Sequence, residues 1–239
     1  MRRLIAAHIL LIMLNKLIYF LSFASIIMSS DLTRIIGWQV MVLPYTMGTD
    51  ELSFYRSSLS AFQIIIDEII KTAETSGYVE HTKTRIKSLD SVKAKLSKKG
   101  LVFSRDNAFD NLFDLAGVRL ICKYADEIEK LFLCFQSNPD FEIVRTKDYI
   151  TNPKPNGYRS FHTVVRKEVG TPTGKQSVCA EIQIRTISMD SWASLEHQLK
   201  YKKHIKDEAM IVSELKKCAD EMYSSEISLM TLRDLINES

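Results

Sequence analysis

Apolar residues recur at three- and four-residue spacing from Asp50 to about Ser76, at Phe54, Leu59, Phe62, Ile66, Ile69 and Ile70. That period predicts an amphipathic helix, ended by Ser76-Gly77, whose role is packing. Ser88-Leu89-Asp90-Ser91 reads as the start of a second helix, with Val92 and Leu96 on its buried side. The pattern then changes period. Val118, Leu120 and Cys122 alternate with Arg119 and Ile121, as in a strand with one face toward a core. Asp126 to Phe135 returns to helical spacing, with Ile128, Leu131 and Phe132 inward. Phe141 to Val144 and Thr163 to Val165 read as strands, separated by a loop marked by Pro153, Pro155 and Gly157. Cys179 to Thr186 is a further strand, and Met189 to Tyr201 a helix with Trp192, Leu195 and Leu199 on one side.

Both ends of the chain depart from this alternation. Leu4 to Met28 is strongly apolar but is interrupted by His8, Asn15 and Lys16. A lysine near the centre of a spanning helix costs roughly 2.5–3.5 kcal/mol. The uninterrupted part, Leu17 to Met28, is only 12 residues, short for a span. Three readings of residues 1–46 stay open, in this order: translation that begins at Met47, a membrane anchor over residues 4–28, and a signal peptide. At the other end Ile211, Leu215, Cys218, Met222, Ser225, Leu229, Leu232 and Ile236 follow a 4-3-4-3 spacing. A helix so patterned over residues 206–239 needs a partner, and a second subunit is the expected one.

Composition narrows the chemistry only by what it lacks. The chain has 239 residues, enough for one sizeable core, and its 32 Lys and Arg against 29 Asp and Glu leave +3. Such a balance does not predict a nucleic-acid binder, so any phosphate binding must come from local clusters. Cys122, Cys134, Cys179 and Cys218 form no C-x-x-C pair and fit neither a zinc site nor a disulfide framework. Buried thiols in a reducing compartment are expected for all four. His197 has no second ligand three or four residues away, which argues against a metal role.

Local clusters do occur. His81 to Gly100 carries Lys83, Arg85, Lys87, Lys93, Lys95, Lys98 and Lys99. A lysine run by itself is most often a solvated helix face. An Arg-x-Lys directly before a helix start is different, because its cations and the first helix N–H groups converge on one place, as phosphate requires. Tyr158, Ser160 and His162 fall on one face of an extended segment beside Lys154 and Arg159. An aromatic plate with a hydroxyl and an imidazole is suited to a purine nucleotide; the plainer reading is a polar edge strand. Glu181, Gln183 and Arg185 likewise share one face of their strand, as the floor of a polar site or as a water-facing surface.

In this order the motifs resemble one family. His81-Thr82-Lys83-Thr84-Arg85-Ile86-Lys87-Ser88, Asp114-Leu115-Ala116-Gly117-Val118-Arg119, Asp148-Tyr149 through His162, and Glu181-Ile182-Gln183-Ile184-Arg185-Thr186 with Trp192 to His197 are similar to the RelA/SpoT synthetase domain. The closer likeness is to the bacterial small alarmone synthetases, and it runs from about Asp50 to the C-terminus. It implies an α/β (α+β) fold, with a mixed central β-sheet flanked by helices, over residues 47–205. It implies a GTP pyrophosphokinase that moves the β,γ-pyrophosphate of ATP to the ribose 3′-hydroxyl of GTP or GDP, in the bacterial cytoplasm and as a homotetramer. Asp114 and Glu181 are then expected to hold Mg²⁺, Glu181 serving as ligand, as base, or as both. Arg85, Lys87, Lys95, Lys98 and Arg119 are expected at the ATP phosphates or adenine. Tyr158 is expected to stack on guanine, with His162, Gln183, Asn156, Lys147 and Lys154 around the acceptor nucleotide. The family often carries Arg where Lys98 and Lys147 stand. Larger members add a hydrolase domain with a His-Asp pair, a dipeptide this sequence lacks, so synthesis without hydrolysis is expected. The rival readings are a tRNA 3′-end pyrophosphotransferase and a non-catalytic nucleotide- or RNA-binding regulator. An allosteric alarmone or RNA is left open.

Overall fold

The structure, a computed structural model, describes residues 49–171, 174–201 and 207–238. The apolar segment 1–46, with its three readings, lies outside them. Among the described residues no helix is long and apolar enough to cross a membrane.

Helix α1 (Thr49–Ser76) buries Ala61, Phe62, Ile65, Ile66, Ile69 and Ala73 along one stripe. Removing each large side chain of that stripe from water stabilises the fold by about 1.5–3 kcal/mol. Five strands follow, β1 (Val79–Ile86), β2 (Ala116–Cys122), β3 (Glu142–Asp148), β4 (Phe161–Thr171) and β5 (Gly174–Thr186). They form a mixed sheet in the order β1-β2-β5-β4-β3, parallel only between β2 and β5. Short helices α2 (Leu89–Lys98) and α3 (Arg105–Asn111) lie between β1 and β2, and α4 (Ala125–Gln136) leads from β2 to β3. The chain closes with α5 (Ile187–Tyr201) and the 30-residue α6 (Glu208–Asn237).

One face of the sheet is apolar. Val118, Leu120 and Cys122 of β2 and Ile182 and Ile184 of β5 join α1 and Ile128, Leu131 and Phe135 of α4 in one core. The predicted helix start at Ser88 is there, its hydroxyl accepting from Ser91 N–H, and Val92 and Leu96 are buried. Burial pushes the Cys122 thiol up to about 12, as suits a packing residue.

Several expectations need correction. Strand β3 starts at Glu142 and runs on to Asp148, which carries Lys147 into the sheet. Of the predicted α5 stripe only Trp192 is buried; Leu195 and Leu199 are 57% and 51% exposed. On α6 the packed positions are Leu215, Ala219, Met222 and Glu226, a stripe rotated from the predicted one, so Cys218 and Ser225 face outward. The rotation has a local cause. Trp192 Nε1 donates to the Leu215 carbonyl at 2.9 Å, and Ala219 packs where the loop before β4 comes closest. A Cβ on Gly157 would lie 2.6 Å from Ala219 Cβ, and the residue has φ +88°, so both space and backbone require glycine there.

Candidate active site

The other face of the sheet is polar, and the strand register sets it out in two rows. Lys83 of β1 is level with Arg119 of β2, which is level with Gln183 of β5, then His162 of β4, then Lys147 of β3. The adjacent row runs Arg85, Gly117, Glu181, Val164 and Arg145. Five strands at about 4.8 Å spacing make each row about 19 Å long. Seven of the ten residues in these rows can carry charge, and only Glu181 is acidic. Residues far apart in sequence meet because facing partners in a pleated sheet share a side.

Glu181 lies near the middle. Gln183 Nε2 donates to Glu181 Oε2 at 3.1 Å, and His162 Nδ1 is 3.5 Å from Oε1. Burial pushes the carboxyl up, but His162 and Gln183 outweigh it and hold it below the usual carboxylate range. Gly117 is level with Glu181 and has no side chain, which leaves room for Arg85. A Cβ on Gly117 would lie 3.3 Å from both Cγ and Nε of that arginine. Lys83, Arg85, Gly117, Arg119, Glu181 and Gln183 line a cleft of about 120 Å³.

Asp114 sits just before β2 and is buried. Its Oδ2 accepts from Lys87 Nζ at 2.6 Å and Lys95 Nζ at 2.7 Å, while its Oδ1 is buried with no hydrogen-bond partner. Burial would raise this carboxyl too; the two lysines more than offset it and keep Asp114 below the usual range. The N-cap of α2 thus puts Lys95 over the carboxylate that Lys87 reaches from the end of β1. Lys98 is not drawn in. It is exposed at the C-terminal end of α2.

The residues matched to the acceptor gather around Tyr158. Its hydroxyl accepts from Arg185 Nη2 at 2.7 Å and lies 2.9 Å from His162 Nε2. Arginine can only donate, so the hydroxyl hydrogen is free to point at Nε2, leaving His162 Nδ1 as the donor toward Glu181. Lys154 Nζ stands 4.5 Å from the centre of the Tyr158 ring and 4.8 Å from that of Tyr149. Asn156 accepts from Tyr158 N–H at 3.2 Å and donates to Glu196 at 3.0 Å. Lys147 is exposed beside His162. Ser160 departs from the expected open face: it is fully buried and donates to the Ile184 carbonyl at 3.2 Å. A second cleft, of about 460 Å³, is lined by Arg119, Tyr158, Arg185, Glu196 and His197.

Three residues of this face were not among the expected site residues. Arg185 is 4% exposed and donates to Asp190, Tyr158 and Gln183. Asp190, in the first turn of α5, accepts from Lys83 at 2.8 Å and from Arg119 and Arg185 at 3.0 Å each. Arg145 lies over the Phe113 ring at 4.9 Å. Strand alternation already placed Arg185 beside Gln183. Nothing in the sequence order brought Asp190 onto the same cations.

The pair Asp114 and Glu181 also bears on a metal. Among the described residues no group of three or more His, Cys, Asp or Glu could cage one. A hard divalent cation that keeps waters and bridges phosphates takes one or two carboxylates instead. The partnerless Asp114 Oδ1 and the ionised Glu181 meet that demand.

A mixed sheet with two carboxylates amid cations on one face, beside an aromatic slot, defines an enzyme class that handles phosphorylated nucleotides. The chain belongs to the RelA/SpoT family. Residues 84–206 match the profile described as "Region found in RelA / SpoT proteins". The GTP pyrophosphokinase YwaC of Bacillus subtilis (strain 168) is 38% identical over 174 residues, covering 72% of this chain and 83% of the relative. The crystal structure of small alarmone synthetase 2 from Bacillus subtilis matches with a TM-score of 0.64 at 36% identity, over 77% of this chain and 97% of that one. Small alarmone synthetase 1 of the same organism, bound to its product pppGpp, matches with a TM-score of 0.67 at 25% identity, over 78% and 99%.

Proposed function

We propose that this chain is a GTP pyrophosphokinase that joins the β,γ-pyrophosphate of ATP to the ribose 3′-oxygen of GTP or GDP, giving pppGpp or ppGpp and AMP. The observation that carries this reading is the pair of polar rows, in which the cations of β1 and β2 and the aromatic slot before β4 flank one acidic residue, Glu181. The 3′-hydroxyl gives up its proton to solvent as its oxygen bonds to Pβ, and the bond between Pβ and the oxygen bridging to Pα breaks, that oxygen leaving with AMP. The migrating group needs its charge balanced more than it needs a covalent nucleophile.

Arg85 and Arg119 would meet the donor phosphates with forked contacts, and Lys87 and Lys95 would add point charge once a phosphate shares them with Asp114. Lys98, exposed, would reach only the donor's outer parts. Tyr158 would stack on guanine, displacing the Lys154 ammonium from its ring toward the acceptor's phosphates. His162, Gln183, Asn156 and Lys147 would hold the rest of the acceptor. Asp114 and Glu181 would hold Mg²⁺, which when bound would neutralise charge on the migrating phosphates. A general base works best with a pKa near the working pH, so a carboxyl held below the usual range favours the ligand role for Glu181 over the base role.

Residues 47–205 form the synthetase domain in this reading and residues 206–239 a subunit-contact helix. Leu229 and Leu232, 59% and 54% exposed on the outer half of α6, are suited to a partner subunit in a homo-oligomer, a tetramer by family likeness. The near-neutral charge favours a free nucleotide over tRNA as acceptor. The test is Glu181→Gln, assayed for AMP and alarmone from ATP plus GDP. Product formation should vanish while the melting temperature stays near that of wild type. Turnover at a near wild-type rate would refute the assignment.

A further inference from the structure

Arg119 lines both clefts, the one around Glu181 and the one around Tyr158. Arg185 lies beneath the second, with its side chain 5% exposed, and donates to the Tyr158 hydroxyl. Two guanidinium groups so close repel one another; burial and the nearby Arg185 both lower the Arg119 pKa. Two acceptors bridge them. Asp190 Oδ1 takes a hydrogen bond from Nη1 of each arginine at 3.0 Å, and Gln183 Oε1 one from Nη2 of each, at 3.4 Å from Arg119 and 3.3 Å from Arg185. Only Asp190 brings negative charge, and its Oδ2 also binds Lys83 at 2.8 Å. Its side chain is 13% exposed, and it sits in the first turn of α5, where the helix dipole favours an anion.

We propose that Asp190 is a positioning residue that ties donor-side Arg119 and acceptor-side Arg185 to one carboxylate, so that both nucleotides are aligned by a single unit. The proposal rests on the pyrophosphokinase reading and adds to it a residue that touches neither nucleotide. In-line transfer needs the 3′-oxygen and Pβ within near-attack distance, and small misplacements cost large factors in rate. Asp190 sets this alignment from below. It also keeps three cations from collapsing onto whichever anion arrives first.

A carboxylate with this role has a distinctive kinetic signature when its charge alone is removed. In Asp190→Asn the cluster gains one net positive charge, so ATP should bind as well as before or better, while alignment is lost. The expected result is a kcat at least tenfold lower per folded enzyme and an ATP KM no higher than wild type, with a lower melting temperature because the buried Arg185 loses its carboxylate. Asp190→Glu restores the charge and should recover part of the lost kcat. A purely structural residue would instead lower activity only in step with the folded fraction, with both KM values unchanged. The clamp is overturned by a D190N kcat within twofold of wild type, by a loss that the folded fraction explains, or by D190E as impaired as D190N. Wild-type enzyme is the control for the parent reading. If it makes no AMP from ATP and GDP, that reading fails and takes the clamp with it; if it does and D190N is unchanged, the clamp alone fails.

Discussion

Asp114 is where catalysis and stability meet, and Asp114→Asn separates their contributions. Its side chain is 12% exposed and neutralises two ammonium groups at 2.6 and 2.7 Å. Lys87 is the partner that matters, with a side chain 13% exposed against 41% for Lys95, whose contact with water screens the charge. Removing one side of a buried ion pair costs about 3–5 kcal/mol because the other charge is left behind. Asparagine keeps an acceptor oxygen and loses only the charge, which brings the loss below that range, to about 2–3 kcal/mol. For a domain of this size that is a fall in melting temperature of roughly 4–12 °C. Glu181→Gln should change stability by less than about 1 kcal/mol, since its partners are a glutamine and a histidine. The pH dependence follows from the sign of the shift. Asp114 is held below its unfolded value, so its contribution is complete above the ordinary carboxylate range and is lost as pH falls through the folded value. Melting curves of both variants from pH 8 to pH 3 should show a deficit for D114N that shrinks on acidification. A D114N melting temperature within 2 °C of wild type at pH 7 would refute the charge-balance argument.

Tyr158 separates stacking from hydrogen bonding. Tyr158→Ala should raise the acceptor KM by the worth of one stacked base, about 1–3 kcal/mol or roughly 5- to 150-fold, and Tyr158→Phe by less than about threefold. Equal KM values for wild type and both variants would remove stacking from the account. Glu226 has the opposite pH sign to Asp114. It is 6% exposed, accepts from Thr186 at 2.6 Å and from Ser188, and has a buried Oε1 without a partner. Burial raises this carboxyl, so its stability contribution is full at low pH and lost as pH rises through the folded value. Glu226→Gln should therefore raise the melting temperature by a few degrees at pH 8 and by little at pH 4; an equal gain at both would contradict this. On α6, Leu232→Asp should lower the mass seen by light scattering without loss of fold. Leu215→Asp should instead unfold the contact with Trp192, and a native mass for the Leu232 variant would remove the outer half of α6 from the subunit contact.

Period and capping made most of the fold legible. The α1 stripe, the Ser88 cap, the β2 alternation and the shared face of Glu181, Gln183 and Arg185 all follow from local rules, and the structure repeats them. Misreadings came where tertiary packing chose between equally good local patterns. On α6 two stripes are available, and the Trp192 indole and the loop at Gly157 select the one through Ala219. Leu195 and Leu199 keep helical spacing but are exposed, so the period held and the burial did not. The site divides in the same way. Motif order singled out Asp114, Glu181 and Tyr158. It could not reveal that Lys87 and Lys95 converge on one carboxylate oxygen, or that Asp190 gathers three cations from three strands across up to 107 positions of sequence. Register between distant strands decides those meetings, and no local pattern encodes it.

The most direct measurement is to incubate the purified protein with ATP labelled in its β and γ phosphates, offering GDP, GTP and tRNA as parallel acceptors. Label should pass intact to the guanine nucleotide, with one AMP released for each ppGpp or pppGpp formed and none on tRNA. Label on the tRNA 3′ end, or AMP release that needs no guanine nucleotide, would contradict the account.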